Sequence, residues 1–179
     1  MRTFFALDLA PKLKLDIEQW TDKALPAMAK KVPAANYHIT LCFNGQTSQE
    51  QLQQLQSGAD ELSFYSFDLT LDNFGYFAKP GVCFIGCKDI PETLHKMNQK
   101  LENISQQAGL RIEKRTYKPH VTLFRKLPMP PPIPLLSPFF EMKVTSFSLY
   151  ESVSGRKGVI YQPIFTWELE RDIRPRAMR

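Results

Sequence analysis

The feature that most constrains this chain is a short phrase that occurs twice, as His38-Ile39-Thr40-Leu41 and His120-Val121-Thr122-Leu123. The chain has three histidines, and two of them begin this phrase. Both phrases lie in runs where apolar and polar residues alternate, which predicts half-buried strands. The fold must therefore provide two strands that each present a histidine and a threonine on the same face.

Strict alternation also predicts where the residues after each phrase point. In the first strand, Phe43 continues the apolar face, so alternation places it in the core. In the second strand, Phe124 falls on the His120 face and Arg125 on the opposite face. Arg125 then reaches the histidines only if the strand ends or bulges near Phe124.

The segments around the two phrases repeat as well. The order helix, histidine strand, strand beginning with Phe and an acid, strand beginning with Gly-Val occurs twice. Helices are predicted over about 12–26, 49–60 and 91–108, the second with a capping box at Ser48 and Gln51. Further strands are predicted over about 4–9, 67–74, 82–86, 140–147 and 158–161. The repetition predicts an internal duplication, a single domain over 1–179 whose two pseudo-symmetric lobes bring both His-Thr faces to one central cleft.

Composition narrows the class of protein. A hydrophobic fraction of 43% and a charged fraction of 23% are typical of a soluble globular chain. The formal net charge of +5 permits a polyanionic partner without requiring one. The basic end, roughly 171–179, is interpreted as a solvated tail, with an RNA contact as the alternative. The three cysteines suggest no disulfide framework. No signal peptide and no membrane-spanning apolar run is recognisable, so we expect a cytoplasmic protein without membrane contact.

Two imidazoles in one cleft suit acid–base chemistry near neutral pH. One neutral ring can take a proton from water or a hydroxyl, while the other, protonated, gives a proton to a leaving oxygen. The hydroxyls of Thr40 and Thr122 can donate to an oxygen held between the histidines. Arg125 would add a planar cation of the kind that pairs with phosphate. These residues point to a phosphate as the reacting group.

Other kinds of site find little support in the sequence. There is no phosphate-binding Gly-x-x-x-x-Gly-Lys-Ser/Thr loop and no nucleophile elbow. Zinc would need a third ligand near His38 and His120, and neither His-x-x-x-His nor Cys-x-x-Cys occurs. His95 has no threonine partner and is interpreted as a solvated helix residue. Acid–base catalysis without a metal is what remains.

Because it contains both phrases, the chain resembles the 2H phosphoesterases. Within them it is most similar to the bacterial 2′-5′ RNA ligases, also called RNA 2′,3′-cyclic phosphodiesterases. The resemblance covers nearly the whole chain. It rests on the opening strand, on both His-x-Thr phrases with their flanks, on Arg125, and on a closing hairpin with Tyr150, Ser152, Gly158 and Tyr161. Two departures are modest: Asn44 replaces an apolar residue, and Phe84 stands where Trp is frequent.

The resemblance implies an α+β fold, bilobal and duplicated, with two antiparallel sheets and flanking helices around a central cleft. It also implies hydrolysis of a terminal 2′,3′-cyclic phosphate of RNA to a 2′-phosphate, without metal or other cofactor. Some relatives join RNA ends through a reversible 2′-5′ linkage. We expect a monomer whose substrates include tRNA fragments. His120 is assigned as the base and His38 as the acid.

Three points stay open on the sequence alone. Phe43, at the position equivalent to Arg125, either stacks on a base or lies in the core. The substrate could instead be a small cyclic nucleotide. A non-catalytic RNA-binding module with an inert cleft is a further alternative, although a binder would not need both His-Thr pairs.

Overall fold

The computed structural model describes residues 1–155 and 158–171 of the chain. The helices among them are α1 (Pro11–Ala24), α2 (Gln49–Asp60) and α3 (Glu92–Gln107). The first five strands are β1 (Arg2–Asp8), β2 (His38–Gln46), β3 (Phe67–Leu71), β4 (Asn73–Phe77) and β5 (Val82–Gly86). The last four are β6 (His120–Phe124), β7 (Phe140–Val144), β8 (Ser146–Gly155) and β9 (Gly158–Glu168).

The helices form where the sequence predicts them. The Ser48 hydroxyl accepts a hydrogen bond from the Gln51 N–H at 3.1 Å, and Gln51 Oε1 accepts one from the Ser48 N–H at 3.0 Å. This confirms the predicted capping box at the start of α2. In α3 the predicted apolar face is also confirmed, because Leu94, Met97 and Leu101 are all fully buried.

Antiparallel pairing joins the described strands into three sheets. The first has the order β2-β1-β8-β9 and carries His38, and the second has the order β4-β5-β6 and carries His120. The third contains only β3 and β7. The α+β class with antiparallel sheets and flanking helices is therefore confirmed, while the third sheet is not predicted by the sequence.

The predicted strand over 67–74 is divided between two sheets at Asp72. The Asp72 backbone N–H donates to Gly86 O at 2.9 Å, and the Asp72 carboxylate accepts from the Lys88 N–H at 2.9 Å. These two bonds turn the chain out of β3 and into β4. The alternation of apolar residues continues through this segment, so the sequence does not reveal the break. Only the distant hydrogen-bond partners of Asp72 create it.

Strands that are equivalent in the sequence repeat do not occupy equivalent positions in the sheets. The two strands that begin with Phe and an acid, β3 and β7, pair with each other. Of the two Gly-Val strands, β5 lies beside the His120 strand, whereas β9 is an edge strand at the far end of the sheet from β2. The strand beside β2 is β1. Neighbours in a sheet are set by pairing between distant segments and not by order along the chain.

One continuous apolar core underlies both histidine sheets. Leu7 and Ile39 of the first sheet, Ile85 and Val121 of the second, and Leu94 of α3 are fully buried within it. Helix α3 packs on β2, and β2 approaches β6 without pairing to it. The shared core therefore holds the two histidine strands side by side.

The proline-rich segment 127–134 contains no helix or strand, as predicted. The chain just after it is held against α1, where Trp20 Nε1 donates to Leu136 O at 3.2 Å. The three cysteines are free, and Cys42 and Cys83 are buried. No helix in the described ranges is long and apolar enough to cross a membrane. Apart from Arg171, the predicted basic tail lies outside the described residues.

Candidate active site

Strands β2 and β6 bring both His-Thr pairs to one cleft of about 350 Å³, which we call the histidine cleft. All the site residues predicted from the sequence line it. They are His38, Thr40, Phe43, His120, Thr122 and Arg125.

His38 is held by two hydrogen bonds. Its Nδ1 lies 2.8 Å from Asn36 O and its Nε2 lies 3.1 Å from the Thr40 hydroxyl. A backbone carbonyl can only accept, so Nδ1 carries a hydrogen and the lone pair of the neutral ring is on Nε2. The Thr40 hydroxyl donates to that lone pair when the ring is neutral.

His120 repeats the first of these two bonds. Its Nδ1 lies 2.7 Å from Lys118 O, again the carbonyl two residues before the histidine. The neutral ring therefore has the same tautomer as His38, and Nε2 is the nitrogen that exchanges protons. Two histidines with the same tautomer are suited to passing protons to and from one group between them.

Aromatic rings enclose both imidazoles. The His38 ring lies 5.0 Å from the Phe4 ring and 4.9 Å from the Tyr161 ring, centroid to centroid. The His120 ring lies 5.1 Å from Phe77 and 5.2 Å from Phe84. These contacts hold the orientations of the two rings and bury part of each ring's surface.

This burial lowers the pKa of both histidines. Burial is the main reason that the pKa of His38 falls to about 4, and the positive charge of Arg125, together with that of His120 when His120 is protonated, adds to the effect. The pKa of His120 is also lowered, mainly by burial and then by the charges of Arg115 and Arg125. Both rings are therefore neutral near pH 7 in the free protein.

A β-bulge in β2 directs Phe43 into the cleft. Ala6 of β1 is opposite Thr40, but the residue before it, Phe5, is opposite Cys42. Leu41 therefore has no partner. The extra residue reverses the alternation, and Leu41 and Cys42 are both buried. Phe43 then lies on the cleft side with 43% of its surface exposed. The prediction that Phe43 belongs to the core is wrong for this reason.

The same bulge occurs in β6. Phe84 of β5 is opposite Thr122, and Cys83 is opposite Phe124, which leaves Leu123 without a partner. Phe124 is consequently buried in the core, contrary to the prediction from strict alternation. Arg125 emerges on the cleft side, as required for a bulge at this point.

Several residues of the cleft are not predicted as site residues from the sequence. Arg2 lies with its guanidinium 5.0 Å from the Phe43 ring centroid, and Arg115 lines the cleft from the loop before β6. Tyr161 comes from β9, more than a hundred residues after His38. Arg2 and Tyr161 fall within the segments that resemble the 2H phosphoesterases, whereas no pattern singles out Arg115.

The cleft is electropositive. Arg2, Arg115 and Arg125 line it, and none of the described residues that line it is acidic. Elsewhere in the described ranges, no cluster of three or more His, Cys, Asp or Glu side chains could hold a metal ion. Guanidinium groups, hydroxyl donors and imidazoles together form a suitable environment for a phosphate anion.

Comparison with known proteins agrees with this geometry. A family model described as the 2'-5' RNA ligase superfamily matches residues 9–156. The chain belongs to this superfamily. The resemblance drawn from the two His-x-Thr phrases is thereby confirmed.

Members of the superfamily match this chain over nearly its full length. The RNA 2',3'-cyclic phosphodiesterase of Escherichia coli K12 is 31% identical, covering 94% of this chain and 96% of the relative. The protein of the same description from Archaeoglobus fulgidus is 29% identical, covering 94% of this chain and all of the relative. The crystal structure of E. coli LigT complexed with 3'-AMP is similar with a TM-score of 0.84 and 32% identity, covering 94% of this chain and 97% of that one.

Proposed function

We propose that this protein is an RNA 2′,3′-cyclic phosphodiesterase that opens the terminal ring to leave a 2′-phosphate. The observation that carries the proposal is the convergence of both His-Thr pairs in one electropositive cleft, each imidazole with Nδ1 bonded to a backbone carbonyl. Membership of the superfamily and the descriptions of its relatives support the choice of RNA as substrate.

In the proposed reaction, water attacks the phosphorus and the bond from phosphorus to O3′ breaks. His120 Nε2 takes the proton of the attacking water, and His38 Nε2 gives a proton to O3′. The Thr40 and Thr122 hydroxyls and the Arg125 guanidinium donate to the phosphate oxygens, where negative charge develops. The Phe43 ring offers a face on which a base can stack.

His38 must be protonated to act as the acid, although its pKa in the free protein is about 4. The negative charge of the bound phosphodiester raises the pKa of a neighbouring imidazole, because it stabilises the protonated form. Binding of the substrate therefore supplies the condition under which His38 takes up the proton that it later gives to O3′. Thr40, whose hydroxyl is 3.1 Å from Nε2 in the free protein, is then released to bond the phosphate.

The same site supports a second, reversible reaction. When the 5′-hydroxyl of another RNA replaces water, its oxygen bonds to phosphorus and its proton passes to His120. O3′ leaves with a proton from His38, and the product is a 2′-5′ linkage. We include this ligation in the proposal.

We further propose a cytoplasmic monomer of one domain with two pseudo-symmetric lobes, whose substrates include tRNA fragments. The continuous core and the equivalent bulges at Leu41 and Leu123 support one duplicated domain.

The decisive experiment offers the protein an oligoribonucleotide that ends in a 2′,3′-cyclic phosphate and resolves the product as a 2′- or 3′-phosphate. We expect the 2′-phosphate, and we expect turnover to be lost in both His38→Ala and His120→Ala. The matched control is His95→Ala, since His95 lies on α3 and does not line the cleft. Wild-type turnover in both cleft variants would refute the proposal, and equal turnover of a cyclic mononucleotide would favour the smaller substrate.

A further inference from the structure

A second and larger space of about 560 Å³ adjoins the histidine cleft, and we call it the side cavity. Its volume is that of a typical small-ligand pocket, roughly 300–1,000 Å³. Six residues line both spaces and form their common border; they are Thr40, Phe43, Phe77, Pro80, Arg115 and His120. His38 lines the cleft and does not line the side cavity. The side cavity therefore meets the cleft beside His120.

The two histidines serve opposite sides of the phosphorus in the proposed reaction. In a displacement at phosphorus the attacking and leaving oxygens lie roughly in line. His38 protonates the leaving O3′, so the ribose that carries O3′ and O2′ lies on the His38 side. His120 takes the proton of the attacking group, which enters from the other side. The side cavity thus adjoins the position of the attacking group and not that of the cyclic nucleotide.

Of the two attacking groups in the proposed function, only an RNA end needs such a cavity. Water reaches the phosphorus without a binding site of its own. The 5′-hydroxyl of a second RNA competes with water for the same phosphorus, and water is far more abundant. It can compete only when the protein holds its nucleoside in place and so raises its effective concentration.

The lining of the side cavity suits a nucleotide. The Phe77 ring lies at the border, 5.1 Å from the His120 ring, where a ribose or a base can pack. Four exposed cations also line the side cavity; they are Lys79, Arg111, Arg115 and Lys118. The lining contains two carboxylates, Glu102 and Glu113, and Glu113 lies 3.7 Å from Arg115.

The other three cations form no ion pair with any residue that the structure describes. They are available to bond the phosphates that follow a 5′-terminal nucleoside.

We propose that the side cavity is the acceptor subsite for ligation, and that it binds the 5′-terminal nucleoside of the incoming RNA with its 5′-hydroxyl at His120. The inference rests on the proposed function, in which His120 is the base. In the step, O5′ bonds to phosphorus while its proton passes to His120 Nε2. The bond from phosphorus to O3′ breaks, and O3′ takes the proton of His38 Nε2.

The test uses two oligoribonucleotides that each have one role. The donor carries a 5′-phosphate and a 2′,3′-cyclic phosphate, so it cannot act as the acceptor. The acceptor carries a 5′-hydroxyl and no cyclic phosphate. Initial rates of formation of the 2′-5′ linked product and of the hydrolysed donor are measured together as the acceptor concentration rises. We expect the ligation rate to saturate, because the acceptor occupies a binding site. A rate that stays proportional to acceptor concentration would overturn the proposal.

Two cations of the loop before β6 make a matched pair of variants. Arg111 lines the side cavity and not the cleft, whereas Lys114, three residues later and also exposed, lines neither space. Arg111→Ala should raise the KM for the acceptor about tenfold, because a charged hydrogen bond to phosphate is lost. Lys114→Ala should leave that KM unchanged. Equal KM values in the two variants would overturn the proposal.

A neutral acceptor shows whether Arg111 acts on the acceptor phosphates. When the linkages of the acceptor are uncharged methylphosphonates, the wild type and Arg111→Ala should have the same KM, since the cation has no anion to bond. A tenfold difference that persists with the neutral acceptor would contradict the assignment of Arg111.

Hydrolysis of the donor in the same reactions separates this inference from the proposed function. Arg111→Ala should hydrolyse the donor with wild-type kcat/KM, because the donor lies in the histidine cleft. An equal loss of hydrolysis and ligation would place the donor strand in the side cavity and overturn the inference alone. Hydrolysis without any ligation by the wild type would do the same, whereas the absence of hydrolysis would refute the proposed function and this inference with it.

Discussion

Leu41 and Leu123 occupy equivalent positions, each as the unpaired residue of a β-bulge directly after the threonine of its His-x-Thr phrase. Each bulge reverses the alternation of its strand, so the residue two positions later points into the histidine cleft. These residues are Phe43 in β2 and Arg125, which directly follows β6. The bulges thus add an aromatic ring and a cation to the lining of the histidine cleft.

Arg125 provides the first prediction. Replacing Arg125 by Ala should lower kcat/KM about tenfold to a hundredfold, because a charged hydrogen bond to the phosphate is lost. Arg125→Lys should recover only part of that loss, since a lysine cannot reproduce the two-pronged donor. Steady-state kinetics on a cyclic-phosphate RNA measure both. Lys143→Ala on β7, in a different sheet, is the charge-matched control and should behave as wild type.

The lowered pKa values predict the pH dependence of kcat/KM. The proposed mechanism needs one proton on the histidine pair, and the pKa of His38 is about 4 while that of His120 is below its usual 6.5. As pH rises through the pKa of His120, which lies below 6.5, the free protein loses that proton, and as pH falls through about 4 it gains a second one. We therefore expect a bell-shaped profile with its maximum between these limits.

The measurement is kcat/KM across pH 4–9, together with kcat over the same range. The limbs of kcat should lie at higher pH, because the bound phosphodiester raises the pKa of the imidazoles. A kcat/KM that rises steadily to pH 8 would contradict the neutral state of both rings in the free protein.

The close approach of Gly75 in β4 to Phe84 predicts that a substitution at Gly75 changes the orientation of His120. Gly75 pairs with Phe84, and a methyl group added there would overlap the ring. That ring cannot move freely, because it stacks on Phe77 and contacts His120. Gly75→Ala should therefore lower both the unfolding free energy, by about 1–3 kcal/mol, and kcat.

Denaturant unfolding and steady-state kinetics test the Gly75 variant together. Gly155→Ala is its control, since an added methyl group at Gly155 would meet only an ordinary contact. Wild-type kcat in Gly75→Ala would show that Phe84 does not orient His120.

The hydrogen bonds of Asn44, a position at which the chain departs from the family pattern, predict that a substitution there lowers stability. Its Nδ2 donates to the Thr3 hydroxyl at 3.2 Å, and its Oδ1 accepts from the Ser105 hydroxyl at 2.9 Å, all within the protein interior. Asn44→Ala removes one hydrogen bond from each hydroxyl, although Thr3 still bonds Thr47 and Ser105 still bonds Leu101 O, and should lower the unfolding free energy by about 1–2 kcal/mol. Urea denaturation measures it, with exposed Asn103→Ala as the control. A change as small as that of Asn103→Ala would mean that the network contributes nothing.

Much of the site could be predicted because it depends on local pattern. A histidine and a threonine two residues apart on a strand share a face whatever the rest of the chain does. Helix α2 likewise begins at its own capping box, and α3 follows the spacing of its apolar residues. The chemistry of a paired acid and base also follows from residue type, since few side chains other than histidine titrate near neutral pH.

Local pattern alone therefore establishes that two His-Thr strands exist and what chemistry they suit. Tertiary structure decided the rest of the cleft. A bulge is a mismatch between two paired strands, so the residues of β2 and β6 alone cannot reveal it without β1 and β5. The division of the predicted strand at Asp72 and the position of Tyr161 beside His38 also depend on distant partners. The alternation of apolar and polar residues predicts the face on which each residue of a regular strand lies. Pairing with neighbouring strands determines where a bulge or a change of sheet interrupts that regularity.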